Sequence, residues 1–328
     1  MDGSLNVYIL TYNRDIYLKM AVESVLKQTY SKFSLYILDN HSTDNTNKIV
    51  SEFHDKRLHY ICHEKNIGGL NNIQYAFDHC TADYCVIFHD DDIMLPQMLE
   101  REKEILDRNR QAVLVAGNGS VIDEYGDEKK AFFHKGNSQP VFMNGRLFHE
   151  YMSAGYTLLF PSIMYRTCFF KEKKIRFKAD AGPCADVIFY FEAEMAGGWI
   201  YELKDRVMKY RVHESQDSKA SRHTMHIQLY SYMRNQPDFL KALSKHKKEQ
   251  KRKFRQHAFY IWADLLYSDL NLEQAEEELK RYEKVLLHSR LDNWMYRKLY
   301  AHTQKHKKLL HRMNKVRRRI RMCRLKNQ

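Results

Sequence analysis

Short apolar runs alternate with stretches of helical periodicity over the first two hundred residues. Val7-Tyr8-Ile9-Leu10 reads as a strand. Leu18, Ala21, Val22, Val25 and Leu26 then recur at helical spacing between about Ile16 and Lys27. Leu35-Tyr36-Ile37-Leu38 is a second predicted strand and ends in Asp39-Asn40. Ser42-Thr43-Asp44 follows as a set of N-cap candidates for a helix through Ile49 and Val50. Leu58-His59-Tyr60-Ile61 is a third strand, and a helix is predicted from about Asn71 to His79. The fourth strand, Tyr84-Cys85-Val86-Ile87-Phe88, is apolar throughout, as a strand buried on both faces must be. Strand–helix units repeated at this length predict an α/β fold with a doubly wound, mostly parallel sheet.

The pattern continues with a helix at about Gln97–Asn109 and a strand at Val113-Leu114-Val115-Ala116. Residues 118 to 135 read as an excursion with a turn at Tyr125-Gly126-Asp127. A helix near Arg146–Met152, a strand near Leu158–Tyr165, a helix over Asp186–Met195, and strands at about Trp199–Leu203 and Val207–Tyr210 close this part. From about His223 the pattern is helical only, with segments at about Phe254–Tyr267, Leu272–Leu287 and Asn293–Arg324. The expected organisation is an α/β domain over residues 1–220 and a basic, all-helical C-terminal region over 221–328.

Charge changes this picture more than composition does. The 328 residues are 44% hydrophobic, enough for a substantial core, and carry a net charge of +13. That charge is uneven. Basic runs begin at Lys245-His246-Lys247-Lys248 and Lys251-Arg252-Lys253, and the stretch from Lys305 to Gln328 has no acidic residue. The asymmetry points to an anionic partner for the C-terminal region. Leu309, Met313, Val316 and Ile320 form an apolar stripe on this basic helix. It either lies on an anionic membrane surface or packs on protein, including another copy in a homo-oligomer. Nucleic acid is not the expected partner, because no helix-turn-helix, zinc-finger or RNP signature is present. No apolar run is as long as a membrane span, and Met1–Asn6 lacks the features of a secretion signal. Six cysteines without a CxxC pair read as reduced thiols. The expected location is cytoplasmic, with the option of a peripheral place on the inner face of the cell membrane.

The chemistry concentrates at His89-Asp90-Asp91-Asp92, directly after the fourth strand. Open α/β sheets place ligand crevices at the carboxyl ends of strands. Three adjacent carboxylates repel one another, so a loop that gathers them needs a cation, and hard oxygen ligands suit Mg²⁺ or Mn²⁺. The plain alternative is a solvated acidic turn.

Four pieces, in order, resemble the family 2 glycosyltransferases, whose fold is GT-A. These are Leu10-Thr11-Tyr12-Asn13-Arg14, Leu38-Asp39-Asn40-His41-Ser42-Thr43-Asp44-Asn45-Thr46, Phe88-His89-Asp90-Asp91-Asp92, and Tyr210-Arg211-Val212-His213-Glu214-Ser215-Gln216. The resemblance covers about the first 220 residues. It implies an inverting, metal-dependent transferase that moves a sugar from a nucleotide-sugar donor, a UDP-sugar, to a glycan or lipid-linked acceptor in cell-surface polysaccharide biosynthesis. It implies further that Thr11, Tyr12, Asn13 and Arg14 line the nucleotide pocket, and that Asp39 accepts a hydrogen bond from the base. Asn66-Ile67-Gly68-Gly69 resembles the family's N-x-G stretch, which adds Asn66 and Gly69 to the nucleotide site; a plain helix-entry turn is the other reading. His89 stands where the family has the first acid of its DXD motif. This leaves open which carboxylate meets metal and which meets ribose; Asp91 and Asp92 are taken for the metal and Asp90 for the nucleotide. His213 is placed at the diphosphate or metal. Asp186 matches the acid before the family's late helix, which deprotonates the acceptor hydroxyl, with an N-cap role as the alternative and Asp180 as the second candidate. The Q-x-x-R-W element of the processive synthases is missing, so a single addition is expected. A degenerate scaffold is the remaining reading, opposed by the retention of Asp39, Asp91 and Asp186.

Overall fold

The computed structural model describes residues 3–133, 141–213 and 224–250, together with 252, 277 and 298. The stripe Leu309, Met313, Val316, Ile320 and the basic tail lie outside the described residues. So do the three expected C-terminal helices, of which only 277 and 298 are described, both helical. The chain divides into two compact units: Met1–Ala179 with Ala185–Ala220, and Asp180–Cys184 with Ser221–Gln328.

The first unit is a ten-stranded sheet in the order β3-β2-β1-β4-β9-β6-β10-β5, with β7 on β6 and β8 on β10. β1 (Leu5–Thr11), β2 (Ser34–Asp39), β3 (Leu58–Cys62) and β4 (Tyr84–His89) form its parallel half. They are joined by α1 (Asp15–Leu26), α2 (Thr46–Ser51) and α3 (Gly69–His79). The right-handed β–α–β crossover favoured by twisted strands winds β2 and β3 to one side of β1, while β4 lies on the other. The order therefore reverses between β1 and β4. In register, Thr11 faces Asp39 and Leu10 faces His89, so three strands deliver their carboxyl ends to this switch point. Val7, Ile9, Leu18, Ala21, Val22, Leu35, Ile37, Val86 and Phe88 are among the core residues that hold α1 on the sheet.

The other half is mixed. After β5 (Ile93–Met94) and α4 (Met98–Arg108) come β6 (Ala112–Ile122), β7 (Glu128–Lys130), β8 (Val141–Phe142) and α5 (Arg146–Ala154). β9 (Ile163–Arg166), α6 (Thr167–Glu172), α7 (Ala185–Met195) and β10 (Trp199–Arg211) complete the unit. β9 runs antiparallel to β4 and β6, whereas β6 and β10 are parallel. Three boundaries differ from the sequence pattern. The strand expected near Leu158–Tyr165 is shorter: Phe160–Ser162, with Pro161 in it, forms a turn of 3-10 helix, and β9 starts only at Ile163. β6 runs on through Gly117-Asn118-Gly119 to Ile122, because pairing with β10, and with β7 at Val121 and Ile122, outweighs the poor strand propensity of glycine and asparagine. A Cβ at Gly117 would collide with Val207 of β10, which is why that position carries no side chain. Trp199–Leu203 and Val207–Tyr210 are one strand interrupted by an irregularity between Glu202 and Arg206, where Lys204, Asp205 and Arg206 are exposed. The turn foreseen around Tyr125-Gly126-Asp127 is present, closed by Gly126 N–H donating to Asp123 O at 3.1 Å.

In the second unit, α8 (Thr224–Asn235) and α9 (Pro237–Ser244) pack on one another, with Leu229, Tyr230, Met233, Phe239 and Leu243 buried. Pro237 at the first helical position has its φ preset for the helix and lacks only an N–H that would go unpaired there. No helix among the described residues is long and apolar enough to cross a membrane.

Candidate active site

Two loops are stitched together at the ends of β1 and β2. Asn13 adopts a left-handed backbone, φ 52°, a conformation asparagine tolerates better than most residues. Its N–H donates to Ser42 Oγ at 2.9 Å, and its Oδ1 accepts from Thr43 N–H at 2.8 Å. Asp15 N–H donates to Asp44 Oδ2 at 3.0 Å, and Asp15 Oδ2 accepts from Asn45 Nδ2 at 2.9 Å. Asp44 Oδ1 also takes Thr46 N–H at the start of α2, but the N-cap position is Asn45, one residue beyond the three candidates read from the sequence. Thr11 is buried at the end of β1, whereas Tyr12 is 44% exposed.

Asp39 is buried. Its Oδ1 accepts from Ser42 N–H at 2.8 Å and its Oδ2 from the Tyr60 hydroxyl at 2.6 Å. Burial and the neighbouring carboxylate push the Tyr60 hydroxyl upward, which keeps it a donor. Asn66 does local work: its Oδ1 accepts from Asn40 Nδ2 and from Gly68 N–H, each at 2.8 Å. The positive φ of this turn, 84°, belongs to Gly68, while Gly69 opens α3; added Cβ atoms at both positions would meet open space.

The acidic triplet is buried, with Asp90, Asp91 and Asp92 each at most 3% exposed, so the solvated-turn reading does not hold. Basic side chains approach it from distant parts of the chain. Arg14 Nη1 lies 3.3 Å from Asp90 Oδ1 and 3.2 Å from Asp91 Oδ2. His213 Nε2 lies 2.8 Å from the same Asp91 Oδ2. Arg211 N–H donates to Asp92 Oδ1 at 2.8 Å, and its Nε donates to Asp91 O at 2.8 Å. Its Nη1 reaches Asp123 O and Glu124 O at 3.0 and 3.1 Å, and the guanidinium lies 4.6 Å from the Tyr17 ring centre. Burial, and then the charge of Asp91, raise the Asp90 and Asp92 carboxyls above the usual carboxylate range.

This set fits a hard divalent ion. Asp90 Oδ2 and Asp92 Oδ2 are buried without a hydrogen-bond partner. His89, Asp91 and Asp92 each offer a ligand atom, and these atoms lie within 4.8 Å of one another. His89 was not among the metal candidates drawn from the sequence, and Arg211 was not among the site residues. Arg211 sits inside the Tyr210–His213 stretch, so the signal was its position between two recognised residues.

Asp186 is partly exposed in the first turn of α7. Surrounding protein raises its carboxyl to about 6. The loop preceding it contains Asp180, which belongs to the second unit.

The family model of glycosyl transferase family 2 matches residues 6–171, a span that includes β1 to β4, the triplet and β9. The chain belongs to glycosyl transferase family 2. An uncharacterised glycosyltransferase of Methanocaldococcus jannaschii is 28% identical over 238 residues, 71% of this chain and 78% of that protein. The Escherichia coli UDP-Glc:α-D-GlcNAc-diphosphoundecaprenol β-1,3-glucosyltransferase WfgD is 24% identical over 139 residues, 41% of this chain and 55% of that protein. Among solved structures, the mannosyltransferase PcManGT of Pyrobaculum calidifontis, in complex with GDP-Man and Mn²⁺, superposes with a TM-score of 0.57. It is 16% identical, and the match covers 92% of this chain and 87% of that one. The fold of this family 2 member is GT-A, with helices after the sheet domain.

Proposed function

We propose that this glycosyltransferase is an inverting, metal-dependent and non-processive enzyme. It transfers one sugar from a UDP-sugar to a glycan or lipid-linked acceptor in cell-surface polysaccharide biosynthesis. The observation that carries the reading is the triplet at the switch point, buried beside Arg14 and Arg211 and holding two carboxylate oxygens without a hydrogen-bond partner. In this reading Asp91 and Asp92, with His89 beside them, hold Mn²⁺ or Mg²⁺. The ion, when bound, neutralises the departing diphosphate as a Lewis acid. His213, at 2.8 Å from Asp91 Oδ2, orients that carboxylate. Thr11, Tyr12, Asn13, Arg14 and Asp90 line the donor pocket with Asn66 and Gly69, and Asp39 accepts the base N3–H through a lone pair that Ser42 and Tyr60 leave free. Asp186 takes the proton of the acceptor hydroxyl, and its raised pKa suits a base working near neutrality. The WfgD relative, whose name gives both a UDP-sugar donor and a polyprenyl-diphosphate acceptor, supports the donor and acceptor classes.

The test is a panel of UDP-, GDP- and dTDP-sugars scored for Mn²⁺-dependent hydrolysis and transfer. A UDP-sugar should be turned over, EDTA should stop it, and Asp91→Ala should reduce it by at least ~10²-fold, within the range expected when a transition-state charge loses its stabiliser. Full activity in excess EDTA, or turnover of GDP-sugars alone, would refute the metal or the UDP element respectively.

A further inference from the structure

We propose that Tyr60 is a positioning residue for base selection. Its hydroxyl pins Asp39 so that the carboxylate meets the N3–H of uracil and does not turn to the amine of cytosine. The inference rests on the reading above in which Asp39 accepts from the base.

The register of the two strands places the pair. β2 and β3 are parallel, with Ile37 opposite Tyr60 and Asp39 opposite Cys62. Residues two apart share a face of the sheet, so Tyr60 and Asp39 are diagonal neighbours, a separation that an aromatic side chain spans. The Tyr60 ring packs against the core, and its hydroxyl donates to Asp39 Oδ2 at 2.6 Å. Burial, and then the bond to Asp39, keep that hydroxyl protonated and therefore a donor. Asp39 Oδ1 accepts from Ser42 N–H at 2.8 Å. The Asp39 main chain is fixed as well. Its carbonyl accepts from His63 N–H at 2.9 Å, and β1 sets Thr11 in register with it. The carboxylate is thus held at both oxygens and at its backbone.

Holding matters because acceptor character alone does not choose between pyrimidines. A carboxylate has lone pairs to spare after Ser42 and Tyr60 are served. Uracil offers it N3–H, whereas cytosine has a bare N3 but carries an N4 amine from which carboxylates also accept. The two donors stand at different places on the ring edge, so a carboxylate must shift to exchange one for the other. Tyr60 and Ser42 resist that shift from opposite oxygens. Asp39 is buried, so solvent does not readily replace a donor taken from it. Removing the Tyr60 hydroxyl therefore frees one end of the carboxylate while the ring stays packed. The simpler role for Tyr60 is to satisfy a buried carboxylate, which affects stability and leaves base selection alone.

The experiment is calorimetric titration of UDP and of CDP, each with Mn²⁺, into the full-length protein. The two nucleotides share ribose and diphosphate, so metal and phosphate contacts cancel in the ratio of their affinities. Wild type should prefer UDP. Tyr60→Phe keeps the ring and removes the hydroxyl. It should bind UDP about 10-fold more weakly, near the lower end of what a hydrogen bond to a charged group contributes, and CDP no more weakly than wild type does. The preference for UDP then narrows by the same factor. Asp39→Ala should narrow it too, and adding Tyr60→Phe to Asp39→Ala should narrow it no further, because the two act through one contact. An unchanged ratio in Tyr60→Phe, with or without a lower melting temperature, would overturn the proposal, as would equal losses for UDP and CDP or a further narrowing in the double variant. If Asp39→Ala still narrows the ratio in those cases, Asp39 remains the base contact. An unchanged ratio in Asp39→Ala, or a wild type without preference for UDP, would overturn the base reading and this inference with it.

Discussion

Replacing Asp186 by asparagine should cost turnover and add stability, and the two effects come from one cause. The surrounding protein raises this carboxyl from the ordinary 3.8 to about 6. A folded-state pKa above the unfolded one means that the native protein binds the proton more tightly. Stability is then unaffected below about 4, falls as pH rises from there to about 6, and stays reduced at higher pH. At about 1.4 kcal/mol per pH unit the full cost of the ionised carboxylate is roughly 3 kcal/mol. Solvent reaches part of Asp186, so about 1–2 kcal/mol is the expectation. Asp186→Asn keeps the size and removes the charge. Urea unfolding should therefore show the variant more stable than wild type at pH 7.5, with the difference shrinking toward zero near pH 4. A positioned base contributes typically about 10²–10⁴-fold, so turnover should fall by at least ~10² with nucleotide binding unchanged. Wild-type turnover should rise with pH through about 6, the range in which the base ionises. Near-normal turnover together with unchanged stability at pH 7.5 would refute the reasoning. It would leave Asp186 as a helix-terminal residue and move attention to Asp180.

Two further outcomes test other parts of the molecule. Arg211→Lys supplies one ammonium where Nε and Nη1 now meet three carbonyls, so it should lower stability by about 3 kcal/mol or more and weaken Mn²⁺ binding. An unchanged urea midpoint would show that the bracket is dispensable. Removing residues 305–328 should release the protein from anionic liposomes in a salt-sensitive way and leave donor hydrolysis intact, since each basic residue near such a surface contributes roughly 1 kcal/mol. Full-length protein that ignores liposomes, with a truncated form that changes oligomeric state, would make the apolar stripe a packing surface.

The parallel half of the sheet was legible because each of its strands is a short apolar run bounded by a helix of clear period. Its layer order and switch point follow from chain rules that act on those elements. β6 beyond Ala116 was not legible. Gly117, Asn118 and Gly119 carry no strand signal of their own, and only the approach of Val207 and the pairing with β10 explain them. The single β10 strand was hidden by Lys204-Asp205-Arg206, whose exposure reads locally as a break. In the Asn66 turn the residue type was right for a helix entry. The hydrogen bonds to Asn40 and Gly68, and the positive φ of Gly68, depend on where β2 brings the neighbouring loop.

At the triplet the same asymmetry has a chemical form. The carboxylates come from one contiguous stretch, so a reader of the sequence meets them together. The basic side chains beside them, Arg14, Arg211 and His213, come from two other stretches, after β1 and at the end of β10, which only the fold brings to the end of β4. A burial pattern cannot distinguish them either, because an arginine at a strand end is ordinarily read as solvated. In the fold the two arginines differ: Arg211 is 1% exposed and the Arg14 side chain 27%. A fixed guanidinium must be held by neutral carbonyls, or it would consume the carboxylates that it is there to place; Arg211 meets this condition. A fall in Mn²⁺ affinity on Arg211→Lys, read without substrate, is therefore a sharper mark of this arrangement than the loss of activity in any single variant.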